Sequence, residues 1–496
     1  MPLRPMNREQ AWLLPPTLDD LLPKDHPARF VAVFVDGLDH DAWAGMEIDV
    51  DGDPLGSPAY HPRALLSVWL YGFMTGIRSS RKLEAACRDQ ISFLWLTGWQ
   101  RPDHNTLWRF YQAHRTAMRS LLKHTVRTAV QIGLVDLAMQ ALDGTKIAAN
   151  AAGDRTFDAA GLERLLVKTE AAIGDLEAQN EGGDDPPPPR LPAELLQAQV
   201  LRERIQHAMN HLAQDQSLRR VNLTDEDAQL MKGRQGILPA YNAQAVVSPL
   251  DPARAQRSGL LITAADVTTA PDDYGQLAPM LDQAQEMTGE QAEVTLADGG
   301  YHSGPNLRVC DERSHQVVMP EGQREAMKGP YFKDRFEYDS ATDSYICPQG
   351  QRLIFRGLRR HKSEAGMKVY RASGAVCRVC PAFGVCTKDR RWGRVLWISP
   401  YDALLRNHRR WMATTEAKEM YARRKQLVEP SFGILKEQMG ARRLLLRGLA
   451  NVKAEFVLLA TAFNLRTLWR VWAGWQGPPP SPYGALTSMA TQSGSS

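Results

Sequence analysis

The stretch "LAMQALDGTKI" (137–147) poses the question on which the fold turns: an apolar run, 137–142, stops at Asp143 and Gly144. The pattern recurs at "EVTLADGGYHSGP" (293–305), where the run halts at Asp298 and two glycines follow. Short apolar runs bounded by glycine read as strands. A strand ending on Asp-Gly either turns there or presents a carboxylate at its tip, and Asp-Gly is a common turn dipeptide. Two further strand-like runs, "YNAQAVV" (241–247) and "GLLITAADVTT" (259–269), precede a helical pattern at 273–287. Strands interleaved with a helix imply a mixed α/β sheet.

Working outward, the 496 residues suggest about three domains. Residues 1–130 read as helical. "HPARFVAVFVDGLD" and "HPRALLSVWLYGFMTGI" space their apolar residues by three and four. "SSRKLEAAC" offers a Ser cap with Glu84 following, and "RPDHNTLWRF" offers an Asp103 cap. Short capped helices fit a helix-turn-helix-like DNA-recognition module, and equally a small helical bundle. Residues 131–310 hold the strands, interrupted at about 155–220 by two helical patterns around "EGGDDPPPPRLP", which no helix interior tolerates. These read as an antiparallel helical hairpin with solvated charged faces. Residues 311–410 read as short β-hairpins around cysteines, and 411–473 return to helix. The tail, 474–496, has the composition of a disordered segment.

The longest apolar run, "FVLLATAFNL" (456–465), is too short to cross a bilayer, and the opening residues show no secretory pattern. The expectation is a cytoplasmic protein with no membrane partner. The net charge of +4 conceals an asymmetry: within 352–447 roughly two dozen Lys and Arg stand against fewer than ten Asp and Glu. Such a concentration attracts polyanions, nucleic acid above all, although a basic run read alone also fits a solvated face. Cys87 and Cys310 stand apart, whereas Cys347, Cys377, Cys380 and Cys386 cluster. Disulfides are rare in the cytoplasm, and four thiolates suit a tetrahedral structural Zn²⁺. Reduced, buried cysteines fit the same spacing. His361 and His408 lie nearby and are not assigned a role.

Asp143, Asp298 and Glu429 form the candidate catalytic set. Carboxylates at neighbouring strand tips repel unless a divalent cation lies between them. Mg²⁺ suits such a place because it is hard and is held by few carboxylates plus substrate phosphate oxygens. A third carboxylate, from a helix, completes a site for in-line attack on a phosphodiester. Taken singly, each aspartate fits a turn and Glu429 fits a solvated helix face.

Here the chain resembles a known family. In "YARRKQLVEPSFGILKEQMGARRLLLRGL" (421–449), Tyr421, Arg424, Glu429 and Lys436 resemble the Tyr-Arg-Glu-Lys signature of bacterial insertion-sequence transposases of the DDE class. "ALDGTKI" and "LADGGYHS" resemble the contexts of that class's two aspartates. "TDEDAQLMKGRQGILPAYNAQAVV" resembles its next strands, and 57–110 resembles its amino-terminal domain. The signature leaves three residues between Arg and Glu, but four separate Arg424 from Glu429, so that Lys425 is the alternative occupant. Pro430 is expected to break the helix there.

The resemblance implies an RNase H-like core: a mixed sheet with helices on both faces, interrupted by the helical hairpin and by the β-rich, cysteine-bearing insertion, and preceded by the all-helical amino-terminal domain. It further implies Mg²⁺ or Mn²⁺ on Asp143, Asp298 and Glu429. DNA contacts would come from Tyr421, Arg424, Lys425 and Lys436. The partners would be double-stranded DNA, as terminal inverted repeats and as target, handled by a homodimer or larger assembly at the bacterial nucleoid. The reaction would be cleavage at the element's ends and strand transfer. A catalytically inactive DNA-binding descendant and a metal nuclease without strand transfer are the alternatives.

Overall fold

The computed structural model describes residues 17–51, 59–181, 193–215, 218–233, 236–256, 258–322, 329–361 and 364–474. The proline-rich break and the tail beyond 474 lie outside them. Seven helices come first: α1 (Pro27–Asp36), α2 (His40–Gly45), α3 (Pro62–Thr75), α4 (Ser80–Asp89), α5 (Ile91–Leu96), α6 (His104–His114) and α7 (Ser120–Gln131). Their starts are written locally. His26 and His61 cap α1 and α3 through ring nitrogens that accept the N–H of Ala28 and Arg63, with proline in the first turn. Asp103 caps α6 by accepting Thr106 N–H at 2.6 Å. Ser79 stands at the N-cap of α4 without a side-chain bond, so the expected Ser cap is one of position only.

There follow β1 (Met139–Ala148), β2 (Thr156–Phe157), α8 (Ala159–Glu181), α9 (Ala193–Gln214), β3 (Val221–Asn222), β4 (Gln229–Gly233), β5 (Gly236–Pro249), α10 (Pro252–Ala255), β6 (Leu260–Thr268) and α11 (Leu277–Thr288). Next come β7 (Val294–Leu296), α12 (Gly304–Glu312), β8 (Gln316–Val318), β9 (Glu337–Asp339), β10 (Ser344–Ile346), β11 (Arg352–His361), β12 (Glu364–Arg371), α13 (Gly374–Arg378) and β13 (Val395–Ile398). The last helices are α14 (Asp402–Met412), α15 (Thr415–Gly433) and α16 (Leu449–Gly474), and a π-helical turn, Ile434–Gln438, separates α15 from α16. The chain is thus a mixture of helices with both antiparallel and parallel strand pairs. No helix among the described residues is long and apolar enough to cross a membrane.

Two compact units emerge. The first comprises 1–272, 280–291 and 426–496. Its sheet is built on β5, which is buried along most of its length and pairs antiparallel with β1, β4 and β6. Helix α16 packs on β6, and its Asn464 side chain both donates to and accepts from the Ile262 backbone (2.8 Å each). This ties the final helix to β6, which pairs with β5 at the margin of the sheet. α8 and α9 do pack as a pair, around Leu162, Ile205 and Ala208, and the short β2–β3 ladder closes their base.

The second unit comprises 273–279 and 292–425. β7 and β8 pair in parallel. The cysteine-bearing segment folds into a five-stranded antiparallel sheet in the order β13-β12-β11-β10-β9. Its core gathers Phe336, Tyr345, Leu353, Tyr370, Leu396 and Ile398.

Candidate active site

Asp143 does not end its strand. β1 runs on to Ala148, and Asp143 lies in mid-ladder opposite Ala245, with Gly144 opposite Gln244. The apolar run stops there because the strand is only half-buried on both sides from Asp143 to Lys146, not because the backbone turns. Both the strand-tip and the turn readings of Asp143 are therefore corrected: it is a half-buried carboxylate on the pleated surface of a sheet. One of its oxygens accepts the Gly144 N–H at 2.9 Å.

Asp298 behaves as the sequence reading allowed, and in both ways at once. It stands two residues past the end of β7, and its Oδ1 accepts the Gly300 N–H at 2.7 Å. Its carbonyl accepts Tyr301 N–H and that of Gly299 accepts His302 N–H, both at 3.3 Å. A methyl group at Gly300 would lie 2.9 Å from Asp298 Oδ1 and 3.3 Å from Asp273 Oδ2. Gly300 is thus the space that admits two carboxylates. Asp273 was missed by sequence reasoning, which placed it at the start of a helix, whereas α11 begins at Leu277. The side chain of Asn306 locks this corner by donating to the carbonyls of Tyr274 (2.8 Å) and Tyr301 (2.7 Å).

The signature segment shows one correction. α15 continues through Pro430 to Gly433. Pro430 removes a single N–H, the one that would reach Gln426, and the helix absorbs the loss. The irregularity comes four residues later as the π turn, where Met439 N–H reaches back to Ile434 at 3.0 Å. Such wide turns recur at functional sites. Tyr421, Arg424 and Lys425 fall in the second unit, Glu429 and Lys436 in the first. Arg424 lies over the Tyr421 ring at 5.9 Å, and Glu429 is exposed.

Lys436 makes the contact that matters most. Its ammonium donates to Thr145 Oγ1 at 2.5 Å and to the Lys146 carbonyl at 3.2 Å. Thr145 is two residues from Asp143 and therefore on the same face of β1. Just beyond, the Leu444 N–H reaches the Ala148 carbonyl at 2.9 Å. A buried ion pair anchors this segment: Arg78 and Glu455 meet at 2.7 Å, and the Glu455 carboxylate also accepts the N–H groups of Leu445 and Leu446. Burial pushes the Glu455 carboxyl up and the Arg78 guanidinium down, against their mutual attraction. Nothing in a single sequence marks two residues 377 apart as partners. Asp225 and Asp227 similarly accept the Gly448 and Leu449 N–H groups at the start of α16 (3.0 and 2.6 Å).

Cys347, Cys377, Cys380 and Cys386 line one pocket of about 20 Å³. The Gln351 N–H points at Cys347 Sγ (3.2 Å) and the Arg394 N–H at Cys377 Sγ (3.4 Å). Burial, with the other three thiols, raises the Cys386 pKa while Arg394 opposes it. Even so, no three His, Cys, Asp or Glu side chains among the described residues stand in a metal-holding arrangement. By that measure neither zinc on the four thiols nor a preformed cluster of the candidate carboxylates is supported among the described residues. Cys87 and Cys310 are lone buried thiols, pushed up to about 12 and about 11 by burial.

Two family models match the chain. A transposase domain (DUF772) matches 16–113, the amino-terminal helices. A transposase DDE domain matches 346–469, from the residue before Cys347 through Glu429 and most of α16. The match takes in β11, β12 and β13 of the cysteine sheet and leaves out β9 and most of β10. The matches include neither Asp143 nor Asp298. Among curated proteins no relative matches. Two transposase models matched in order along one chain, the second carrying the signature helix, indicate an insertion-sequence transposase of the DDE class.

Proposed function

We propose that the chain is an active transposase, cutting DNA at the ends of its insertion sequence and joining them to a target. Asp143, Asp298 and Glu429, all hard oxygen donors, are the residues that would hold Mg²⁺ or Mn²⁺. When bound, the cation supplies activation of the attacking water or 3′-hydroxyl and stabilisation of the leaving oxygen. The protein's own part is positional. The turn at Gly300 fixes one oxygen of Asp298, and the β1 ladder fixes the backbone of Asp143. Lys436 braces β1 beside Asp143. Tyr421, Arg424, Lys425 and Lys436 hold the DNA backbone near the scissile phosphate.

The proposed frame is an RNase H-like core, interrupted by the helical pair and the cysteine sheet and preceded by DNA-recognition helices. Terminal repeats and target DNA are its partners, in an assembly of at least two chains. The observation that carries the reading is the Lys436–Thr145 bond, which brings the signature segment onto the strand of Asp143 across 291 residues of chain.

The test is a paired assay with the native element ends and Mg²⁺ or Mn²⁺. Nicking and joined plasmid products, both absent in Asp298→Asn, support the reading. DNA binding without nicking supports an inactive descendant, and nicking without joined products supports a plain nuclease.

A further inference from the structure

Two groups of basic side chains stand out in the second unit. One is paired: Lys333 with Asp402 at 2.5 Å, Arg406 with Asp402 at 2.6 Å, Arg409 with Asp334 and Glu321 at 2.5 and 2.7 Å, and Arg352 with Asp339 at 2.8 Å. The other lies on the outer part of the β11–β12 hairpin. There Arg356, Arg359 and Arg360 are exposed, and none of them meets a carboxylate among the described residues. Nearby acids are committed elsewhere. Asp343 accepts from Tyr338 and Tyr370, and Asp389 accepts the N–H groups of Arg391 and Trp392. Glu337 is on β9, two strands away, and Glu364 opens β12 opposite His361.

The apolar residues of the hairpin are unusual too. Leu358 is 64% exposed, Ile354 44% and Phe355 39%, and Lys368 lies over the Phe355 ring at 5.9 Å. A solvated face has no use for them. A bulge between Phe355 and Leu358, with Gly357 at φ +120°, adds one residue to β11 and twists the ribbon. A two-stranded ribbon fits the major groove of B-form DNA, where arginines meet phosphates and base edges and apolar groups meet thymine methyls.

We propose that the β11–β12 hairpin is a DNA-binding ribbon, with Arg356, Arg359 and Arg360 on phosphates or base edges and Leu358 between them. This deepens the transposase reading and rests on it. The partner is double-stranded DNA because the patch combines an excess of positive charge, Arg356, Arg359, Arg360 and Lys368 against Glu364, with exposed apolar surface on a ribbon of groove width.

The experiment uses the full chain and a fluorescent random-sequence duplex titrated over a series of salt concentrations. Each phosphate contact contributes about 0.9 to the slope of log K against log salt, so replacing all three arginines by alanine lowers the slope by about three and weakens binding about a hundredfold near roughly 0.15 M salt. The matching lysine variant keeps the slope if the contacts are to phosphate. Arg164, Lys168 and Arg204 replaced together by alanine remove the same charge from α8 and α9 and leave the slope unchanged. Should the triple variant melt early, single Arg359→Ala reads the same effect as a loss of about one. A wild-type slope in the alanine variants, or an equal loss in the α8–α9 variant, overturns the proposal while cleavage at native ends still stands. A wild-type chain that binds no duplex overturns it together with the transposase reading.

Discussion

Asp143-Gly144 and Asp298-Gly299 are the same dipeptide in two different roles. The first is strand interior, held by a ladder to β5 over eight residue pairs. The second is a turn held by its own side chain, with a glycine kept clear for a second carboxylate. What differs is the surrounding structure. A long neighbouring strand overrides the turn preference of Asp-Gly at 143, and nothing does so at 298. Local propensity is a weak prior where tertiary pairing is available.

The largest expected effect tests whether the two settings serve one function. Asp143→Asn and Asp298→Asn each lose about 10³-fold or more in cleavage rate, the scale of several kcal/mol of charge stabilisation, with duplex affinity kept. A rate loss confined to one of them would separate the two regions. Next comes the anchor of the Asp143 region. Arg78→Ala leaves the buried Glu455 carboxyl without its counter-charge and lowers unfolding free energy by about 3–5 kcal/mol, read by denaturant titration.

Gly300→Ala is smaller in stability and more telling. The new methyl at 2.9 Å must displace the Asp298 carboxylate, at a cost of about 1–3 kcal/mol. Cleavage should fall further than stability explains. An alanine variant with wild-type rates would show that the turn does not position Asp298.

The smallest effect is of pH. Burial holds His302, His315 and His408 below their ordinary 6.5, and His302 and His408 lie 5.5 Å apart beside Arg409. The unfolded chain takes up these protons first, so the histidines' contribution is full above 6.5 and is lost as pH falls below it. The melting temperature should drop by a few degrees between pH 7.5 and 5.5, and by less in His302→Phe.

Much of this was legible in the residues. The helices of 17–131 followed from their apolar spacing, and the strands β5 and β6 from their short apolar runs. Asp143 and Asp298 were singled out as candidates by the apolar runs that precede them. Three things were not legible. The continuation of β1 past Asp143 depends on β5, about 100 residues later. The persistence of α15 through Pro430 depends on one missing hydrogen bond being cheaper than breaking the helix. Asp273, Arg78 and Glu455 act through partners remote in the chain, which no local pattern records.

The central claim is that Asp143 and Asp298, so differently held, bind the same class of cation. It is tested most directly by replacing each in turn with cysteine and measuring cleavage at the native ends in Mg²⁺ and in Mn²⁺. A softer thiolate ligand disfavours Mg²⁺ more than Mn²⁺. The account expects both variants to be inactive in Mg²⁺ and partly restored in Mn²⁺. Either variant cutting in Mg²⁺ at the wild-type rate would contradict it.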